Sequence, residues 1–220
     1  MLTYKRAVTQ NKNVVTDKEC GMPTAFTREQ QESIREKLFR AGICLSKSEG
    51  MQGMTVSRLA ASAGIAKGSF YHFFESKEAF IQALITYAGE KQQLLFGKHL
   101  GGRERMSTHE FMAFLRDYMN SEYDLLNGLT LEDMMWLKTH MSDANLFEPA
   151  APVYAVRRFL SCLSDAREGV DAGTIVNLVK GIYMMRESRN TMVETSLDNS
   201  IEVLFRMLEI YISGEGDLVS

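Results

Sequence analysis

Cysteine and proline are scarce: three of each in 220 residues. Cys20, Cys44 and Cys162 lie far apart, are odd in number and form no C-x-x-C pair, which argues against a disulfide framework and against a zinc site. Such thiols fit a reducing, cytoplasmic setting. Long apolar runs are also missing. No stretch approaches the roughly 18 residues that a membrane span needs, and the opening "MLTYKRAVTQNKNVV" carries basic residues without the apolar segment of a secretory signal. The expectation is a soluble protein with no membrane partner. Catalytic signatures are absent too: there is no G-x-S-x-G, no H-E-x-x-H and no phosphate loop, and His72, His99, His109 and His140 show no ligand-type spacing. No catalytic residue, cofactor or metal is expected, and the chain does not read as an enzyme.

What is present favours helix. Leu, Ala, Glu, Met, Lys and Arg are abundant, alternating β-branched runs are few, and a 45% hydrophobic content is ample for a core, so an all-α fold is expected. The net charge of -3 hides an asymmetry. Residues 1–77 hold 12 Lys and Arg against 7 Asp and Glu, a net of +5, whereas residues 78–220 hold 13 against 21, a net of -8. A basic front on an acidic body is the pattern of a nucleic-acid reader on a carrier.

Residues 1–26 lack helical periodicity and read as a flexible arm, either touching a DNA minor groove or without function as a translation-start artefact. Order begins where Thr27 and Gln30 form a T-x-x-Q capping box, followed by Ile34, Leu38, Ala41 and Leu45 at helical spacing on a first helix ending before Gly50. Thr55 caps a short second helix, "VSRLAASA", which Gly64 stops. A third short helix covers roughly Lys67 to Phe74, and Ser76 caps a longer fourth from Lys77 to about Lys98. Ser107 and Glu110 open another helix with a second capping box, and further helices are expected over 130–141, 150–167, 171–188 and 197–213.

Two short helices separated by a glycine-bearing turn make a helix-turn-helix, whose second helix enters the DNA major groove. Val56, Leu59, Ala60, Ile65, Phe70 and Phe74 are spaced to face inward, which leaves Lys67, Gly68, Ser69, Tyr71 and His72 outward. Lys67 reaches guanine acceptors or phosphate, Gly68 permits close backbone approach to a base edge, and Ser69, Tyr71 and His72 offer donors and acceptors. Thr55 and Lys77, at the first turns of their helices, add phosphate contacts where the dipole favours anions, and Arg58 reinforces either role.

The segment "MTVSRLAASAGIAKGSFYHFFESKEAF" resembles the DNA-binding segment of the TetR family of bacterial transcriptional regulators over about residues 28–85. The Thr-led second helix at Thr55, the A-G-I-A-K-G turn from Ala63 to Gly68, and the F-Y-H-F-F-E-S-K-E run from Phe70 to Glu78 carry the likeness. Glu75 departs from it, standing where the family often has Pro or a basic residue. The resemblance implies a helix-turn-helix DNA-binding domain over 27–76 and a ligand-responsive, dimerising helical domain over 77–220. It also implies a homodimer on a palindromic operator, most often as a repressor.

The body's own residues extend that expectation. In "IEVLFRMLEIYI" the polar side chains before the tyrosine are Glu202, Arg206 and Glu209, so the helix is apolar around most of its circumference. Packing on its own domain and on a partner accounts for the surplus, with Ile175, Leu178, Ile182, Leu204, Phe205 and Leu208 as the candidate dimer interface in a four-helix arrangement. Met and aromatic side chains line adaptable apolar cavities. Phe111, Phe114, Tyr118, Met135, Trp136, His140, Tyr154, Cys162 and Asn177 are therefore the candidate ligand residues, with Met134, Met141 and Phe159 in the same cluster and Arg116, His140 or Asn177 as polar anchors for an apolar or aromatic small molecule. The alternative is a helix-turn-helix regulator controlled by a protein partner, with a filled body and no small ligand.

Overall fold

The computed structural model describes residues 26–125, 129–141 and 151–215, so the expected N-terminal arm lies outside the described residues except for Phe26. Among the described residues there are nine α-helices, one 3-10 turn at Arg189–Thr191 and a single isolated bridge between Met106 and Leu163 in place of any strand. The helices are α1 (Arg28–Gly53), α2 (Val56–Ala63), α3 (Lys67–Phe73), α4 (Lys77–Leu100), α5 (Thr108–Met119), α6 (Leu131–His140), α7 (Ala151–Ser161), α8 (Ala172–Glu187) and α9 (Glu194–Ser213).

Local chemistry sets most starts. The Thr27 hydroxyl accepts from the Gln30 N–H at 3.2 Å while the Gln30 side chain accepts from the Thr27 N–H at 2.9 Å, and the same reciprocal box opens α5 at Ser107 and Glu110. At Glu110 a hydrogen bond from Arg103 and another from the Ser107 N–H hold the carboxyl down at about 2. Thr130 and Asp133 form a third box at α6. At Gly50 the first helix breaks with φ 72, as its glycine foretold, and one further turn then runs on to Gly53.

Two expected boundaries shift. The helix expected over 150–167 ends at Ser161, because Ser161 turns its hydroxyl back onto the Arg158 carbonyl and the next residues find partners elsewhere. Met106 N–H donates to the Cys162 carbonyl at 2.9 Å, Ser164 N–H to the Met106 carbonyl at 2.9 Å, and Arg167 N–H to the Ile212 carbonyl at 2.8 Å. Asp165 meanwhile accepts from the Thr108 N–H and hydroxyl at 2.7 and 2.8 Å, helping to satisfy the first turn of α5. The last helix starts at Glu194, three residues earlier than expected.

Two apolar cores result. The first gathers Leu38, Phe39, Ile43, Met51, Leu59, Phe70, Phe74, Phe80 and Leu84 from α1 to α4 together with Leu137 and Met141 at α6. The second joins Phe111, Phe114, Leu163, Ile182, Phe205 and Leu208 from α5 to α9. The α4 helix serves both, placing Phe80 to Ala88 in the first and Leu95, Phe96 and Leu100 against the second. It is therefore a member common to both cores.

Candidate nucleic-acid interface

The helix-turn-helix is fixed from its ends. The Thr55 hydroxyl accepts from the Arg58 N–H at 3.4 Å to start α2. Gly64 then ends it in the left-handed region at φ 73, donating to the Ala60 and Ala61 carbonyls, a turn that only glycine adopts without a Cβ penalty. Ile65 N–H adds a bond to the Ala60 carbonyl at 3.0 Å, so the entry of α3 is held to α2 by backbone alone. Phe70 is wholly buried and Phe74 nearly so, in a cluster of aromatic rings with Phe39 and Phe80. That anchoring turns Lys67, Gly68, Tyr71 and His72 to solvent, with Tyr71 52% exposed. Ser69 is half-buried, and a methyl group at Gly68 would meet nothing within 4 Å. One face of α3 thus presents a cation, bare backbone, a phenol and an imidazole, the chemistries that meet base edges and phosphate oxygens.

Three of the remaining candidates are less free. The Thr55 hydroxyl is occupied by its cap, although the residue is exposed. Arg58 pairs with Glu49 of α1. Lys77, half-buried at the start of α4, holds its ammonium 4.5 Å above the Trp136 ring of α6 and donates to the Gln52 carbonyl at 3.3 Å; burial pushes its pKa down, with the Glu78 charge opposing. It faces the body more than the α3 surface.

Residues 38–84 match the model for bacterial regulatory proteins of the tetR family. This segment is a TetR-family DNA-binding segment. The chain is 41% identical over 71 residues to the transcriptional repressor NemR of Escherichia coli K12, covering 31% of this chain and 36% of NemR. It is 29% identical over 96 residues to the nucleoid occlusion factor SlmA of Glaesserella parasuis, covering 44% of each. The sequence likeness therefore spans well under half of either relative. Across the fold, the structure of reduced E. coli NemR superposes with a TM-score of 0.57 at 18% identity, covering 83% of this chain and 100% of that one. The multidrug binding protein EbrR, solved with imidazole, gives 0.52 at 16% identity, covering 84% and 91%.

In this TetR fold the nine candidate ligand residues do not converge. Phe111, Phe114 and Tyr118 sit in the second core, where the Phe114 ring lies 5.1 Å from that of Phe96 and 5.5 Å from that of Phe159. Burial raises the Tyr118 phenol pKa. Met135, Trp136 and His140 belong instead to α6, whose apolar side packs on the first core through Met134, Leu137 and Met141. Trp136 stacks on His140 at 4.4 Å, and Met135 is exposed. Tyr154 and Asn177 are exposed on α7 and α8, and Arg116 is engaged with Glu202 at 2.8 Å and over the Phe205 ring. Only Cys162 among the nine borders the cavity of about 320 Å³ between α4 and α7, with Gln92, Gln93, Phe96, Gly97, Leu100, Ala155, Arg158 and Phe159. Phe159, also expected near the pocket, borders it too, while the sequence reading missed the α4 residues and Ala155 and Arg158 of α7. Their signal was there, in the spacing of Gln92, Phe96 and Leu100 and of Ala155, Phe159 and Cys162, each set on one helix face.

The candidate dimer residues need a correction. Ile175, Ile182, Phe205 and Leu208 are at most 1% exposed within a single chain, so their surface is already covered and no partner reaches it. Leu178 and Leu204 are half-buried on the same core. The apolar surface left outward on α8 and α9 is Met184, Val203 and Met207, exposed by 70%, 50% and 37%.

Proposed function

We propose that the chain is a ligand-responsive transcriptional repressor that binds a palindromic operator as a homodimer, in the cytoplasm, with no enzymatic activity. The observation that carries this is the exposed Lys67, Gly68, Tyr71 and His72 face of α3, set on a wholly buried Phe70. NemR's description as a repressor and EbrR's as a multidrug binding protein support the repressor and small-molecule parts.

The proposed mechanism follows from α4. Two recognition helices read successive major-groove faces about 34 Å apart only while their spacing is held. A ligand lodged beside Gln92, Phe96 and Leu100 acts on the same helix whose first turn, capped by Ser76, adjoins α3. Displacing α4 changes the spacing, provided the ligand has higher affinity for the displaced state. Selection of bound fragments from the source genome tests the reading: the wild type recovers a short inverted repeat, and Lys67→Ala and Tyr71→Ala do not. Recovery of unrelated fragments by all three proteins would remove sequence-specific reading by α3.

Dimerisation is assigned to the outward stripe rather than to the buried one. A Val203→Glu/Met207→Glu double variant is expected to remain folded and sediment as a monomer at micromolar concentration, while the wild type sediments as a dimer. Leu208→Ala, in the core, is expected to lose roughly 2–5 kcal/mol of stability. A dimeric double variant would place the interface elsewhere.

A further inference from the structure

We infer that the cavity between α4 and α7 takes a small planar aromatic monoanion whose carboxylate is held by Arg158. This rests on the ligand-gated reading above and names the chemical class of the effector. The cavity's apolar wall is made of Phe96, Leu100, Ala155, Phe159 and Cys162, with the Phe96 and Phe159 rings 4.7 Å apart and tilted by 55°. Two rings in contact with each other make one continuous aromatic wall, against which a flat aromatic body stacks. A volume of about 320 Å³ lies at the lower end of ligand pockets, which suits a mono- or bicyclic compound rather than a large drug.

The polar lining has one sign. Gln92, Gln93 and Arg158 supply the polar side chains, and no Asp or Glu borders the cavity among the described residues. Five other arginines of the body have a partner: Arg103 pairs with Glu110, Arg116 with Glu202 and Arg189 with Asp198, while Arg167 donates to the Tyr211 carbonyl and Arg186 to Asn120. The Arg158 guanidinium has no ion pair among the described residues, and it stands beside an aromatic wall. Arg158 is exposed at the rim of the cavity, where a carboxylate completes a bidentate pair that an ammonium or a neutral amide does not. A second cleft of the body is different. It is lined by Thr108, His109, Asp165, Arg206, Glu209, Ile210, Ser213 and Glu215, and its groups already satisfy one another, His109 with Glu209 at 2.9 Å and Asp165 with Thr108 at 2.8 Å.

Cys162 makes the test direct, because its thiol borders the cavity and donates only a long 3.5 Å bond to the Arg158 carbonyl. The full chain is titrated calorimetrically with 2-naphthoate, 2-naphthamide and 2-naphthylmethylammonium, and alkylation of Cys162 by iodoacetamide is mapped by mass spectrometry with each. The expected result is saturable binding of naphthoate with protection of Cys162, at least about tenfold tighter than the amide, with the ammonium excluded. Arg158→Gln should erase the preference, Arg158→Lys should keep part of it, and Ala155→Trp, which fills the space, should abolish protection. Amide binding as tight as naphthoate, or an undiminished preference in Arg158→Gln, overturns the anionic assignment. Operator release by some compound that leaves Cys162 unprotected also overturns it, yet leaves the regulator reading intact. Failure of the fragment selection would remove that reading instead.

Discussion

Tyr71→Ala and Lys67→Ala are each expected to weaken binding of the selected inverted repeat by roughly 5- to 150-fold, the equivalent of about 1–3 kcal/mol. Both residues are exposed, so stability should stay within about 0.5 kcal/mol of wild type. Fluorescence anisotropy over a salt series separates their roles. Lys67→Ala releases fewer counterions and should flatten the dependence of log K on log salt by about 0.9 if its ammonium neutralises one phosphate. Tyr71→Ala removes a neutral hydroxyl and should leave that slope alone. Unchanged affinity and slope in both would mean that α3 does not face DNA. Phe70→Ala provides the contrast: it leaves the reading face chemically intact but removes its support, at a cost of roughly 3–5 kcal/mol in stability.

The second large effect is expected where α6 meets α1. Asp133 is buried, and its carboxylate accepts from the Met51 N–H at 2.6 Å, the Thr130 N–H at 3.1 Å and the Thr130 hydroxyl at 2.8 Å. It caps its own helix and satisfies a donor exposed by the break in another. Asp133→Ala strands the Met51 N–H in a residue with no solvent exposure and removes half of the capping box, an expected loss of about 2–4 kcal/mol. Gly50→Ala strikes the same joint from the other side. Its backbone sits at φ 72, and a Cβ there would lie 2.7 Å from the Asp133 Oδ1. Because the two changes share one contact, a double-mutant cycle by chemical denaturation should be clearly sub-additive. Full additivity would show that the break and the carboxylate are energetically independent.

The sequence spoke clearly where the chemistry is local. The Thr27 and Ser107 boxes, the Thr55 cap and the Gly64 turn each depend on residues within a few positions, and all of them formed as read. The outward set on α3 followed from the same periodicity that buries Phe70 and Phe74. Legibility failed where a side chain's partner is remote. Nothing near Asp133 announces that it will bind Met51, 82 residues away, or that Trp136 will lie under Lys77 instead of lining a pocket. The α9 helix shows a different limit. Apolar almost all round, it offers no local cue to which stripe its own core takes and which is left over, so Phe205 and Leu208 read as readily for a partner as Val203 and Met207.

The arrangement of Lys77 over Trp136 gives the molecule an optical property. Trp136 is the sole tryptophan of the chain, and its indole contacts both the Lys77 ammonium at the start of α4 and the His140 imidazole of its own helix. Indole emission responds to a nearby positive charge and to contact with water. Any parting of α6 from the start of α4 changes both at once. The protein thus carries its own fluorophore where α6 docks on the start of α4, and a change in that docking registers as a colour and intensity change without any added dye.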